Sequence, residues 1–266
     1  MTLIIAADVQ DHLILAGDHC AVLSRGSNAT EHVIIRNYQK IYSWKYGAIA
    51  GSGDVVLMVV FLRLFLHHER QNARVDVLQI ASEAKAARIR AGSPPGECVG
   101  NIFFTLPASD GFQMHGVYIG EHRIRLETVG AISRCFSMQE QRSPHRTACN
   151  AFNGRLRPAL LFSDTRAFDT HHLDLLRRFF ECQSAMDDRV TCYFDVMFLD
   201  KRTGVGRFWT APDGMGLRVS LGGELESAGE GPVQRKRPEA LFLQVFRPFE
   251  CPVGLNKWWS QGGSNS

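Results

Sequence analysis

The amino terminus, Met1-Thr2-Leu3-Ile4-Ile5-Ala6-Ala7, opens an apolar strand one residue into the chain. Removal of Met1, the usual fate of an initiator methionine before a small residue, would leave Thr2 carrying both a hydroxyl and a free α-amine. A threonine hydroxyl is a weak nucleophile until a base accepts its proton, and a terminal amine on the same residue is such a base. The α-amino pKa of about 7.7–8.0 already lies near neutrality. A neighbouring cation lowers it further by disfavouring the ammonium form. The plainer reading of Thr2 is the first residue of an edge strand.

Three further stretches bear on that choice. Asp18 ends a second apolar run, Leu13-Ile14-Leu15-Ala16-Gly17-Asp18, and Lys40 opens a third, Lys40-Ile41-Tyr42-Ser43-Trp44. Ile49-Ala50-Gly51-Ser52-Gly53-Asp54 then leads into a long apolar helix. Each has an ordinary explanation: an Asp that initiates a turn, a solvated Lys before a strand, and a Gly-Ser-Gly-Asp cluster that caps a helix. Taken in this order and spacing, the four stretches resemble a proteasome β-type subunit, or the related bacterial proteasome-like peptidase that works with a separate ATPase. The resemblance is clear over residues 2–70, looser to about 130, and visible again at 172–208, and the segment between Asp18 and Lys40 is longer than the family's.

The resemblance implies roles. Thr2 would be the nucleophile, Asp18 would hold the Lys40 ammonium, and the Gly51 N–H would face a tetrahedral oxyanion. A glycine suits that place because the backbone must approach the substrate closely, and a preorganised donor there is worth about 3–4 kcal/mol in the transition state. The segment after Asp18, here His19-Cys20-Ala21-Val22, would line a substrate groove and pair its backbone with an extended peptide, which makes Ala21 and Val22 substrate-binding positions. Ile49 aligns with the floor of the specificity pocket, and an aliphatic floor favours cleavage after apolar residues. Where the family carries Gly-Ser-Gly, this chain has Gly130-Ala131-Ile132-Ser133, so Ala131 stands at the serine position and Ser133 is the hydroxyl that remains. The family's Asp-x-x-Ser is matched by Asp188 and Thr191. Asp187 is an equally available carboxylate, and a solvated turn is the plainer account of Asp187-Asp188.

Apolar periodicity gives an α/β mixture. Strands are expected at 2–8 and 12–18, helices at 54–70 and 75–91, strands at 101–106, 112–119 and 123–129, a helix at 170–184, and strands at 193–199 and 205–209. The resemblance makes of this α+β set a four-layer αββα sandwich of the amino-terminal-nucleophile hydrolase type. It divides the chain into residues 1–210, with an unassigned insertion at about 134–170, and an extension at 211–266. In that extension Gln234-Arg235-Lys236-Arg237 is basic, Leu241–Phe246 reads as one more strand, and Trp258-Trp259 marks a packing or subunit contact.

Composition narrows the alternatives. The 266 residues are 45% hydrophobic and 21% charged, which is ordinary globular usage. A formal charge of +3 on scattered basic residues argues against a nucleic-acid partner. The apolar run Val55–Leu66 is twelve residues long, short of the roughly 20 that span a bilayer. No charged segment, apolar core and cleavage site mark secretion. Seven cysteines without a Cys-x-x-Cys pair fit free thiols in a reducing cytoplasm rather than a zinc site. His67 and His68 are adjacent, do not share a helix face, and read as favourable charge at a helix C-terminus. The turn at Gly51 lacks the Gly-Lys-Ser/Thr of a phosphate loop.

The expectation is therefore a threonine-type endopeptidase with no metal, nucleotide or other cofactor. The resemblance implies a ring-shaped homo-oligomer that degrades peptides or unfolded proteins and receives them from an ATPase partner. Two alternatives stand beside it: a non-catalytic subunit that keeps the fold for architecture, and an amidase acting on small amides.

Overall fold

A computed structural model describes residues 3–24, 32–71, 75–130, 134–137, 143–211 and 215–220. The first two strands, β1 (Leu3–Asp8) and β2 (His12–Asp18), form a hairpin whose turn places Gln10 at φ 73°. β1 is an interior strand. Its other edge pairs with Arg134–Ser137, so the strand that begins the chain has neighbours on both sides.

This explains why Leu3-Ile4-Ile5-Ala6-Ala7 is apolar without alternation: strand side chains point alternately to opposite faces, and here both faces are covered. Leu3, Ile5 and Ala7 enter one core cluster, while Ile4 and Ala6 enter another.

Two hairpins follow. β3 (Cys20–Ser24) and β4 (His32–Arg36) make a two-stranded sheet, and β5 (Ile41–Trp44) turns through Tyr46-Gly47 into β6 (Gly47–Gly53). Asp54 then caps α1 (Val55–Arg70), accepting the Val56 N–H at 3.0 Å on one oxygen and Arg88 Nε at 2.9 Å on the other. Arg88 belongs to α2 (Val77–Arg90), itself capped by Asp76, so one carboxylate starts one helix and ties it to the next. β7 (Gly100–Ala108), β8 (Gly111–Ile119) and β9 (Ile124–Thr128) complete a five-stranded antiparallel sheet ordered β5-β6-β7-β8-β9.

The stretch at 134–170 that carries no clear sequence pattern is built into the body of the fold. It contributes β10 (Arg134–Ser137), which pairs with β1, then α3 (Ser143–Asn153), a 3-10 turn (Ala159–Leu161) and the start of α4 (Thr165–Met186). α4 starts five residues before the expected 170, because Asp164 caps it by accepting the Ala167 N–H at 2.7 Å. β11 (Phe194–Asp200), β12 (Val205–Ala211) and β13 (Met215–Ser220) then close a six-stranded sheet ordered β10-β1-β2-β11-β12-β13. The boundary expected at 210 falls inside β12, and β13 extends the same sheet beyond it.

Three large apolar clusters, beside a small one at β3, account for most of the packing among the described residues. Phe168, Leu176, Phe179 and Phe180 of α4 meet Phe194, Val196 and Phe198 of β11, with Phe180 and Phe194 stacked at 4.5 Å. Fully burying each such ring is worth about 1.5–3 kcal/mol. On the five-stranded sheet, Leu57, Phe61 and Phe65 of α1 and Ile80, Ala81 and Ala84 of α2 cover Ile49, Ile102 and Phe104. A third cluster joins residues of both sheets: Ile4, Leu13, Leu15, Met197 and Leu199 with Ile41, Ala48, Ala50, Phe103 and Met114. Arg207 of β12 fixes α4 through both oxygens of buried Asp169, each bond 2.8 Å. Among the described residues, no helix is long and apolar enough to cross a membrane.

Candidate active site

Asp18 is the last residue of β2 and is completely buried. Its Oδ1 accepts the Leu3 N–H at 3.0 Å and the Lys40 ammonium. Its Oδ2 accepts the Cys20 N–H at 3.0 Å and the Thr191 N–H at 3.3 Å. A carboxylate offers about four acceptor positions, so all of them are used, and the Asp18 side chain is held from four directions.

Lys40 sits immediately before β5, its side chain 1% exposed. Burial holds its pKa below the ordinary lysine value, and the charge and hydrogen bond of Asp18 offset only part of that lowering. A buried ammonium persists only with such a partner. A Cβ on Gly17, just before Asp18, would stand 3.4 Å from Lys40 Cβ, an ordinary van der Waals contact, so Lys40 packs directly against the end of β2.

The first residue of the described chain is thus tied directly to the pair. Thr2 itself and Ser133 lie outside the described residues.

Gly51 lies in β6 opposite Ile102 of β7. On its other side the ladder ends one residue earlier, at Ile41 opposite Ala50, where Lys40 begins. Lys40, Ile49, Ala50 and Gly51 line one small cleft together with Tyr38, Tyr42, Met58 and Phe61, with room inside for little more than a water molecule. Burial pushes the Tyr38 hydroxyl up to about 12 and raises that of Tyr42, so both stay neutral and the wall is apolar in character. Ile49, the expected pocket floor, lies 1% exposed at this wall.

The expected groove residues divide. Ala21 is buried against Tyr38, Val55 and Val59, whereas Val22 is partly exposed. Both lie in β3, paired through Ile35 and Ile34 with β4.

Of the two adjacent carboxylates, Asp188 is exposed and Asp187 is 7% exposed. Arg189 makes the difference: its backbone N–H and Nε both donate to Asp187 Oδ1, at 3.0 and 2.8 Å, and a guanidinium nitrogen reaches Oδ2 at 3.1 Å. Burial works to raise the Asp187 pKa, and the bonds and charge of Arg189 outweigh it, so the carboxyl lies below its ordinary value. Thr191, 6% exposed, meets Asp18 through its backbone. Its hydroxyl donates to Tyr193 O at 2.9 Å and accepts the His19 N–H at 3.1 Å, which clasps the end of β2 to the start of β11.

Two members of this neighbourhood are not singled out by sequence reasoning. Cys20 is buried beside the pair, its thiol pushed up by burial and by the Asp18 charge. His19 Nε2 lies 3.0 Å from Asp195 Oδ2, close but not aligned as a hydrogen bond, and Thr210 Oγ1 donates to the other Asp195 oxygen at 2.7 Å. Asp195 and Thr210 face each other across β11 and β12, a pairing that only the register reveals. Among the described residues, no group of three or more His, Cys, Asp or Glu is placed to hold a metal ion.

No protein-family model matches the chain, and no characterised protein matches it in sequence. Solved structures do. The "Anbu (ancestral beta-subunit)" from Yersinia bercovieri is 10% identical with a TM-score of 0.53, over 99% of each chain. A Gly-1 mutant of Anbu from Hyphomicrobium sp. strain MC1 is 12% identical at 0.53 over the whole of both chains. The Pseudomonas aeruginosa Anbu complex, solved as a helical assembly, is 11% identical at 0.56, over 99% of this chain and 98% of its own. At such identities the likeness is one of architecture: this chain has the fold of the Anbu ancestral β-subunits.

Proposed function

We propose that the chain is a threonine-type peptidase subunit of a proteasome-like assembly, with Thr2 as its nucleophile once Met1 is removed. The observation that carries this reading is the buried Asp18–Lys40 pair, with Asp18 also holding the amide of the residue that follows Thr2. The Anbu fold supports it, as do the core clusters, which we read as the four layers of an αββα amino-terminal-nucleophile hydrolase.

In the reaction, the Thr2 Oγ–H proton passes to the α-amine of the same residue as Oγ bonds to the peptide carbonyl carbon. Lys40, oriented by Asp18, supplies positive charge that keeps the amine neutral and the alkoxide accessible. The Gly51 N–H stabilises the oxyanion. Collapse breaks the C–N bond, the ammonium proton leaves with the amine, and water hydrolyses the Thr2 ester. In this reading Asp188 and Thr191, with Ser133, serve the amine, and the buried Asp187 is the other carboxylate available for that role. Ala21 and Val22 offer backbone to an extended substrate, and the cleft at Ile49 takes an apolar side chain. Such a subunit works in the cytoplasm in a homo-oligomeric ring or helical array, fed by an ATPase, on unfolded proteins.

Casein and peptides with leucine, lysine or glutamate before the scissile bond test this. Turnover of the leucine peptide, abolished in Thr2→Ala, is expected; preference for either charged peptide contradicts the pocket. A non-catalytic architectural subunit is the second reading, favoured by Ala131 standing where the family carries serine.

A further inference from the structure

Leu160 and Leu161, adjacent on the 3-10 turn, are 71% and 62% exposed, the most exposed large apolar side chains among the described residues. They are nevertheless firmly mounted. The N–H groups of Ala159 and Leu160 both donate to the Asp11 carboxylate, at 3.0 and 3.1 Å, and Asp11 lies in the β1–β2 turn. Phe162, next in sequence, packs edge-on against Phe168 of the core. Exposed Arg155, Arg157 and Arg166 flank this knuckle in sequence, with an Arg157 guanidinium nitrogen on the Gly154 and Leu156 carbonyls at 2.8 Å, and Asp164, the one carboxylate between residues 154 and 168, is engaged in capping α4. A rigid apolar knob with a basic rim is a preformed docking surface.

The chain leaves the sheet at the same end. β13 finishes at Ser220 opposite Val205, next to the β11–β12 turn, and in that turn the Lys201 N–H donates to Asp11 O at 3.0 Å. Three strand spacings, about 15 Å, separate β2 from β13 in this sheet. The 46 residues that follow, 221–266, begin with Glu224, Glu226 and Glu230 and no Lys or Arg before Arg235. They then carry Leu241-Phe242-Leu243, Val245-Phe246 and Trp258-Trp259. The acidic lead, ahead of the basic Arg235-Lys236-Arg237, complements the arginine rim and the apolar stretch after them complements the leucines, and a tethered segment meets its site at an effective concentration of about a millimolar.

We propose that residues 221–266 of the same chain dock on the Leu160–Leu161 knuckle, the acidic lead against Arg155, Arg157 and Arg166 and the apolar stretch over the two leucines. The docked segment gives the six-stranded sheet's end an apolar cover that the preceding elements do not supply.

Two measurements on the full chain test it. Amide exchange is expected to show peptides within 241–259 protected at least tenfold (about tenfold is the scale of a single good contact), and Leu160→Asp with Leu161→Asp, both at exposed positions, should abolish that protection while circular dichroism is unchanged. Absent protection, or protection that survives the double variant, overturns the proposal. Should the double variant fail to fold, a benzophenone side chain at position 160 decides: crosslinks to 221–266 of the same chain, distinguished by mixing with an isotope-labelled copy, support it. Crosslinks to another copy, or none to 221–266, overturn it.

Discussion

Asp18 and Lys40 form a buried ion pair in which the carboxylate also accepts the backbone amides of Leu3, Cys20 and Thr191. Strand β1, the end of β2, the start of β5 and the approach to β11 therefore converge on one side chain. Removing either charge leaves the other buried without a partner, which costs about 3–5 kcal/mol. Lys40→Ala and Asp18→Asn should each lower the unfolding free energy read from urea titration by that amount and abolish activity, whereas the double change should cost less than the sum. Additive losses would mean that the two charges are not coupled.

Gly51 stands where a Cβ would come within 2.6 Å of Met58 Sδ. Gly51→Ala should therefore displace Met58 from its packing in α1 at a cost of about 1–3 kcal/mol and lower kcat far more than it raises KM. Because the conflict is with one side chain, a double-mutant cycle with Met58→Ala should show coupling above 0.5 kcal/mol. An activity equal to the parent's would mean that Met58 yields without moving the residue 51 N–H.

His172 is fully buried on α4, its Nδ1 2.9 Å from Phe168 O and its Nε2 accepting the Arg157 N–H at 3.3 Å. Burial lowers its pKa to about 4. The neutral ring is the folded form, so the unfolded chain binds more protons between its own pKa near 6.5 and about 4. Stability should be intact above pH 6.5, fall as the pH drops through that window, and level off below about 4, for a total of up to about 3 kcal/mol. Denaturation of His172→Gln across pH 4–7 should show a flatter dependence. An unchanged slope would assign the acid sensitivity to other groups.

The sequence makes some of this legible and hides the rest for identifiable reasons. The hairpin β1–β2, the helices α1 and α2 and the strands β7 to β9 follow from apolar runs bounded by Asp and Gly. Asp18 and Lys40 can be paired because each borders such a run. β10 and α3 leave little trace, since β10 is four residues long with a partner about 130 residues away at the amino terminus, and among the described side chains of α3 only Cys149 and Phe152 turn fully into the core. Which of Asp187 and Asp188 is buried is not readable from spacing, because the neighbouring Arg189 guanidinium holds Asp187.

Assembly gives a further prediction. If the chain works as its fold suggests, light scattering should report a high-mass species that persists on tenfold dilution. A concentration-independent monomer would count against the enclosed chamber on which the proposed proteolysis depends.

The intact mass of the purified chain, before and after treatment with a threonine-directed epoxyketone or boronate, tests the central claim most directly. The account predicts loss of the initiator methionine and one inhibitor adduct per chain, absent in Thr2→Ala. Retention of Met1, or a mature chain that takes up no inhibitor, would contradict it and leave the architectural subunit as the reading that stands.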